Sequence, residues 1–124
     1  MNEFKENCIF CKIIDKEISA YVIYEDESYI AFLDIFPRAP GHVQVIPKEH
    51  MRWVWDSNDI EGYFRIVQKI AQALQRAYGI DLIRSQIYGE EISHAHVWLW
   101  PDLPHDGTEK DFAHHAQRIQ QVLE

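Results

Sequence analysis

The stretch HAHVWLWP, residues 94–101, alternates its side chains with the period of a β-strand and stops at Pro101. One face would carry His94, His96, Trp98 and Trp100, the other Ala95, Val97 and Leu99. A half-buried strand ordinarily leaves one face to water, yet neither face here is rich in simple solvating groups. Two histidines aligned with two tryptophans therefore mark either the wall of a site or a strand whose aromatic side is buried.

On either side of this stretch the chain punctuates itself clearly. AYVIYED (20–26) and SYIAFLD (28–34) are β-rich runs joined as a hairpin through EDE. FPRAPG (36–41) is a loop, because two prolines and a glycine forbid continuous helix or ladder. HVQVIP (42–47) alternates again and predicts a third strand. Ile60, Phe64, Val67, Ala71, Leu74 and Tyr78 recur at helical spacing, with Ser57 or Asn58 as the cap and Gly79 as the stop. DLIRSQIY (81–88) and SHAHVWLW (93–100) read as the fourth and fifth strands. A C-terminal helix presents Phe112, Ala116, Ile119 and Val122 on one side, entered through a weak capping box of Thr108 and Asp111. The expected class is α+β: a single domain over 1–124 with about five mostly antiparallel strands, one long central helix and a C-terminal helix.

Hydrophobic content of 47% and charged content of 26% over 124 residues are those of an ordinary globule. A formal net charge of −8 argues against binding to nucleic acid, while a small anionic ligand needs only local donors. MNEFKENCIF has no basic flank before an apolar core, and no apolar run approaches the roughly 18 residues of a membrane span. A cytoplasmic protein without membrane partners is expected. Its only cysteines, Cys8 and Cys11, form CIFC. Too little chain precedes them for a thioredoxin-like strand, so a metal role outranks a redox one, and two further ligands are needed for zinc. Of the seven histidines, His105, His114 and His115 fall in a polar turn and on a helix, and are expected to be solvated.

Taken together, CIFCKII (8–14), FLDI (32–35), GHVQVIPKEH (41–50) and HAHVWLWP resemble the histidine-triad (HIT) superfamily of nucleotide hydrolases and transferases. The signature of that superfamily is H-x-H-x-H followed by two apolar residues. The resemblance implies that His96 is the nucleophile, forming a nucleotidyl-histidine intermediate, with His42 as support. It implies that Asp34 accepts from the ribose hydroxyls and that Phe10, Ile14, Ile18, Phe32 and Ile35 wall the base. Members with an N-terminal C-x-x-C bind zinc, and the corresponding ligands are Cys8, Cys11, His50 and His94, a closed structural Zn²⁺ site. Family members commonly form homodimers, for which Tyr63, Phe64, Trp53 and Trp55 offer aromatic surface.

Two departures stand out. Trp98 replaces the third signature histidine; indole offers one N–H donor and no titratable proton, which favours leaving groups that need none. In the loop SQIYGEEIS (85–93), Gly89 and Ile92 fit, but Glu90 and Glu91 replace a neutral pair that would hold phosphate, and Ser85 or Gln86 stands in for an asparagine. The implied function is hydrolysis or nucleotidyl transfer on a nucleoside phosphate, phosphoramidate or dinucleoside polyphosphate. The alternative is a catalytically weakened protein that binds nucleotides or a partner without turnover.

Overall fold

A computed structural model describes residues 5–123; residues 1–4, part of the stretch read for a signal segment, and residue 124 lie outside it. Five strands, β1 (Val22–Glu25), β2 (Tyr29–Leu33), β3 (Val43–Pro47), β4 (Ile83–Gln86) and β5 (Val97–Pro101), form one sheet in the order β1-β2-β3-β5-β4. Every neighbouring pair is antiparallel. The hairpin turn is held by Asp26, whose Oδ1 accepts from the Ser28 and Tyr29 amides at 2.7 and 2.8 Å.

The long helix α2 (Ile60–Tyr78) lies against one face of the sheet. Its buried stripe of Tyr63, Val67, Ile70, Ala73 and Leu74 meets Val43, Val45, Val97 and Leu99, none more than 7% exposed. Tyr63 donates its hydroxyl to the Val45 carbonyl at 2.7 Å, so it is a core residue and not the dimer surface expected of it. The helix is capped by Asp59, whose carboxylate accepts from the Gly62 amide at 3.0 Å, in place of Ser57 or Asn58. Ser57 instead accepts from the Asp59 amide and orders the approach. Gly79 ends the helix at φ 63°, as expected.

Helix α3 (Phe112–Leu123) packs on α2 and β1. The expected Thr108–Asp111 capping box is absent, because the Thr108 hydroxyl donates to Asp106 at 2.6 Å. His115 is corrected from solvated to buried, at 2% exposure. Its Nε2–H donates to the Thr108 carbonyl at 3.0 Å and its Nδ1 accepts from the Tyr78 hydroxyl at 2.7 Å, joining α3 to the end of α2. His105 and His114 are exposed as expected.

Two short elements were invisible to periodicity: α1 (Ile9–Ile14) and a 3₁₀ turn at Val54–Asp56. On the side of the sheet away from α2, Phe10 and Ile13 of α1 cluster with Ile30, Phe32 and Ile46. The fifth strand is shorter than its alternation implied. Its pairing with β3 ends at Val45↔Val97, and His94, Ala95 and His96 lie just before it. The Ala95 amide donates to the Met51 carbonyl at 2.8 Å, so this segment is anchored outside the sheet. No helix among the described residues is long and apolar enough to cross a membrane.

Candidate active site

The register of β3, β5 and β4 sets Gln44, Trp98 and Gln86 side by side across the sheet. Paired residues share a face, so these three belong to one surface, opposite the helix-covered one. His96 stands at its edge, fully buried except for 2% of its surface. Among the described residues the acceptor its Nδ1 meets is the His94 carbonyl, at 2.7 Å, so in the neutral ring Nδ1 carries the proton and Nε2 the lone pair. Phe10 holds the ring edge-on at 5.5 Å between centroids. His96 opens onto a cleft of about 330 Å³ that Asp34, Gln44, Trp98, Glu91 and Ile92 also line, with Phe36 at its mouth.

Asp34 is 7% exposed and pre-set by two donors: the Phe36 amide at 2.7 Å on Oδ1 and the Gln44 amide group at 2.8 Å on Oδ2. His42 lies behind it. Its Nδ1 accepts from the Arg38 amide at 3.0 Å, which places the proton on Nε2, 3.7 Å from Asp34 Oδ2 and too far for a hydrogen bond. Burial pulls the His42 imidazole down to about 4, against the raising effect of Asp34, so the ring is neutral near pH 7. Trp98 packs edge-on against His42 and nearly parallel to His96, with centroids 5.4 and 6.3 Å apart. Its Nε1–H is buried without an acceptor.

On the other side of Phe10, four ligand atoms from Cys8, Cys11, His50 and His94 lie within 4.8 Å of one another. The sulfurs of Cys8 and Cys11 are 3.3 and 3.6 Å from His94 Nδ1, and Cys11 is 3.2 Å from His50 Nδ1. His94 Nε2–H donates to the Pro47 carbonyl at 2.8 Å, which leaves its Nδ1 as the nitrogen aimed at the thiols. Burial, aided by His50 and His96, lowers the His94 imidazole to about 4 and keeps it neutral. Burial pushes the Cys11 thiol up to about 11, a value that a bound cation would reverse. Two thiols and two neutral imidazoles, converging and buried, fit tetrahedral zinc.

The structure thus brings His96, Trp98, Asp34 and Glu91 to one cleft, with His42 behind, and gathers the four sulfur and imidazole residues beside it. Phe10 and Phe32, 3% and 4% exposed, pack on each other, with Phe10 edge-on to the His96 ring. Ile14 flanks that apolar cluster, and Ile18 lines a separate hollow with Ile13 and Val22. Ile35 is 57% exposed. Gly89 turns the loop at φ 82° beneath Trp53, where a Cβ would meet the indole at 3.0 Å, and its carbonyl accepts from Arg52. Glu90 and Glu91 are exposed, so their charge is hydrated beside the cleft. Phe36 and Gln44 were missed; the signal for Gln44 was its period-2 spacing from His42 on one strand face. A second hollow, about 690 Å³, lies beyond Glu91 and Ile92 against Cys8, His50 and Lys5.

The HIT domain matches residues 15–105 of this chain, well over half of it. The chain belongs to the HIT family. This HIT protein is similar to a HIT-like protein of Bartonella henselae, with a TM-score of 0.83 and 32% identity, covering 97% of this chain and 99% of that one. A zinc-bound histidine triad family protein from Mycobacterium smegmatis superposes at a TM-score of 0.76 and 26% identity, covering 94% and 93% of the two chains. The adenosine 5′-monophosphoramidase of Saccharomyces cerevisiae is 36% identical over 97 residues, 76% of this chain and 61% of that protein.

Proposed function

We propose that this HIT protein is a nucleotide-binding enzyme that breaks the bond between the α-phosphate of a nucleotide and its leaving group, with His96 as nucleophile. The observation that carries this is the His96 hydrogen bond: Nδ1–H is committed to the His94 carbonyl, so in the neutral ring Nε2 is the nucleophilic nitrogen, in a cleft that also holds Asp34. Nε2 forms a bond to the α-phosphorus while the bond from phosphorus to the leaving group breaks, and the electron pair departs with that group. Water then attacks phosphorus and the P–N bond breaks, restoring the neutral imidazole. One proton of the water stays on the phosphate product and the other passes to solvent. Transfer to another acceptor replaces the water in the same second step.

Asp34 is assigned to the ribose hydroxyls, since Phe36 and Gln44 already fix its oxygens toward the cleft. His42 supports Asp34 and packs against Trp98, which stands at the third position of the triad. Cys8, Cys11, His50 and His94 are assigned to one zinc ion, supported by their convergence and by the zinc-bound Mycobacterium smegmatis relative. Bound there, zinc would act as a structural crosslink that fixes the His94 segment. The phosphoramidase name of the yeast relative supports nucleotide chemistry at the site. We also assign the protein to the cytoplasm, where reduced thiols persist, and to a homodimer built on exposed aromatic surface such as Trp55, 69% exposed.

A second reading is nucleotide binding without turnover, favoured by Trp98, which has no proton to give, and by the carboxylate of Glu91 at the cleft. Intact mass after a neutral, rapid quench with adenosine 5′-phosphoramidate or diadenosine tetraphosphate separates the two. A nucleotidyl adduct that vanishes in His96→Ala supports the enzyme. An adduct that survives that substitution removes His96 from the role, and nucleotide binding without adduct or turnover supports the second reading.

A further inference from the structure

Arg38, on the loop between β2 and β3, is an exposed residue with an ordered head group. Its guanidinium carbon lies 4.9 Å from the Trp98 ring centroid and 5.2 Å from that of Trp100. Its Nη1 donates to Gln86 Oε1 at 3.1 Å. Among the described residues no carboxylate is paired with it, in a chain of net charge −8. Gln86 sits opposite Trp98 in the β4–β5 register, and because its oxygen is taken by Arg38, its Nε2 is the group left over. That Nε2 and the Trp98 Nε1 are both buried donors without acceptors. A held cation and an unsatisfied Gln86 N–H therefore flank an indole whose own N–H is also unsatisfied, next to His96.

We infer that Arg38, with Trp98 and Gln86, forms a phosphate subsite for the leaving-group side of a nucleoside polyphosphate, making Arg38 a specificity-determining residue. The inference rests on the assignment of His96 as nucleophile for its direction along the substrate. From His96 the sheet surface runs to Trp98, whose ring is 6.3 Å away, and then to the guanidinium above it. A phosphate at that place is separated from the α-phosphate by one or a few anhydride links. A guanidinium is always charged, so it stabilises the negative charge that appears on a departing phosphate but delivers no proton to a departing amine. When the anhydride bond breaks, its electron pair settles on the bridging oxygen, and the phosphate leaves as an anion beside Arg38. The indole at position 98 has a matching consequence, since the face it offers holds the cation in place where an imidazolium would repel it. The predicted preference is for phosphoanhydrides over phosphoramidates, a different emphasis from the name of the yeast relative.

The test compares kcat/KM for diadenosine tetraphosphate and for adenosine 5′-phosphoramidate in wild type, Arg38→Gln and Arg38→Lys. Arg38→Gln is expected to lower the value for the tetraphosphate at least ten-fold more than for the phosphoramidate, with Arg38→Lys recovering part of the difference. Equal losses on both substrates, or no loss, would overturn the subsite. If wild type turns over neither substrate, the nucleophile assignment fails and calorimetry decides the subsite alone. Wild type should then bind ATP more tightly than AMP, and Arg38→Gln should abolish that difference. Equal affinity of wild type for ATP and AMP, or a difference that survives Arg38→Gln, would reject it. Circular dichroism of each variant confirms that the surface substitution leaves the fold in place.

Discussion

The His94 carbonyl accepts the Nδ1–H of His96 at 2.7 Å, while the ring of His94 faces Cys8 at 3.3 Å. One residue thus belongs to both the sulfur cluster and the cleft. Whatever fixes the His94 ring also fixes the carbonyl that sets the tautomer of His96, so a metal ion held by that ring would act on His96 without touching substrate.

His94→Ala is accordingly expected to lose bound zinc, from about one ion per chain, and to slow turnover by about 10–100-fold. Cys8→Ser should lose metal in the same way while leaving the His94 ring present. Metal analysis together with steady-state rates reads both effects, and metal content unaltered in both variants would remove the zinc assignment.

Asp34 has both carboxylate oxygens anchored, so Asp34→Asn should retain the fold and lose one acceptor for a ribose hydroxyl. The hydrogen bonds at stake involve a charged acceptor and correspond to about 1.5–3 kcal/mol, a rise of roughly ten- to a hundred-fold in KM for ribonucleotides. The same substitution should barely affect a 2′,3′-dideoxynucleotide. Equal losses for both sugars would show that Asp34 does not read the ribose.

His115 is buried between Tyr78 and Thr108, and burial lowers its folded pKa below 6.5, the lone acceptor role of Nδ1 being compatible only with a neutral ring. The unfolded chain therefore binds a proton, at pH values below about 6.5, that the folded chain refuses. Stability from this group is fully present above that pH and falls as the pH drops through it toward the folded value. Urea midpoints taken from pH 8 to pH 5.5 should decline, and less steeply in His115→Gln. Identical slopes in the two proteins would exclude His115 as a source of the acid sensitivity.

Gly41 adopts φ 82° with the Tyr78 ring so close that a Cβ would sit 2.6–2.8 Å from its atoms. Gly41→Ala combines backbone strain with an overlap that only a shift of Tyr78 relieves, at a cost of about 1–3 kcal/mol each way of counting. Chemical denaturation measures the loss. Tyr78→Leu should remove part of it in the double variant, so additive losses would show that the two residues do not collide.

Much of the architecture was legible because it is written in periodicity. The apolar spacing from Ile60 to Tyr78 and the stop at Gly79 reproduce α2, and alternation marks β3 and β5. The class of the site was legible too, since CIFC and HAHVWLWP carry residue types whose chemistry is narrow. Short α1 carries no period to detect, and the cap at Asp59 was chosen over two equally plausible neighbours by where the chain approaches the helix. His115 read as solvated because a polar residue on a helix is usually outside; only the packing of α3 on α2 supplies its two partners and its burial.

By itself, then, the sequence determined the five strands, the two long helices, the family and the chemical types available at the site. Tertiary structure alone decided which nitrogen of His96 and of His94 is free, because each proton is assigned by a carbonyl that only the folded chain brings within reach. It also decided that Arg38 stands over Trp98 and Trp100 and that Gln86 lies beside them. Those relations depend on antiparallel register and loop closure, which join residues up to 62 positions apart and which local side-chain patterning does not encode.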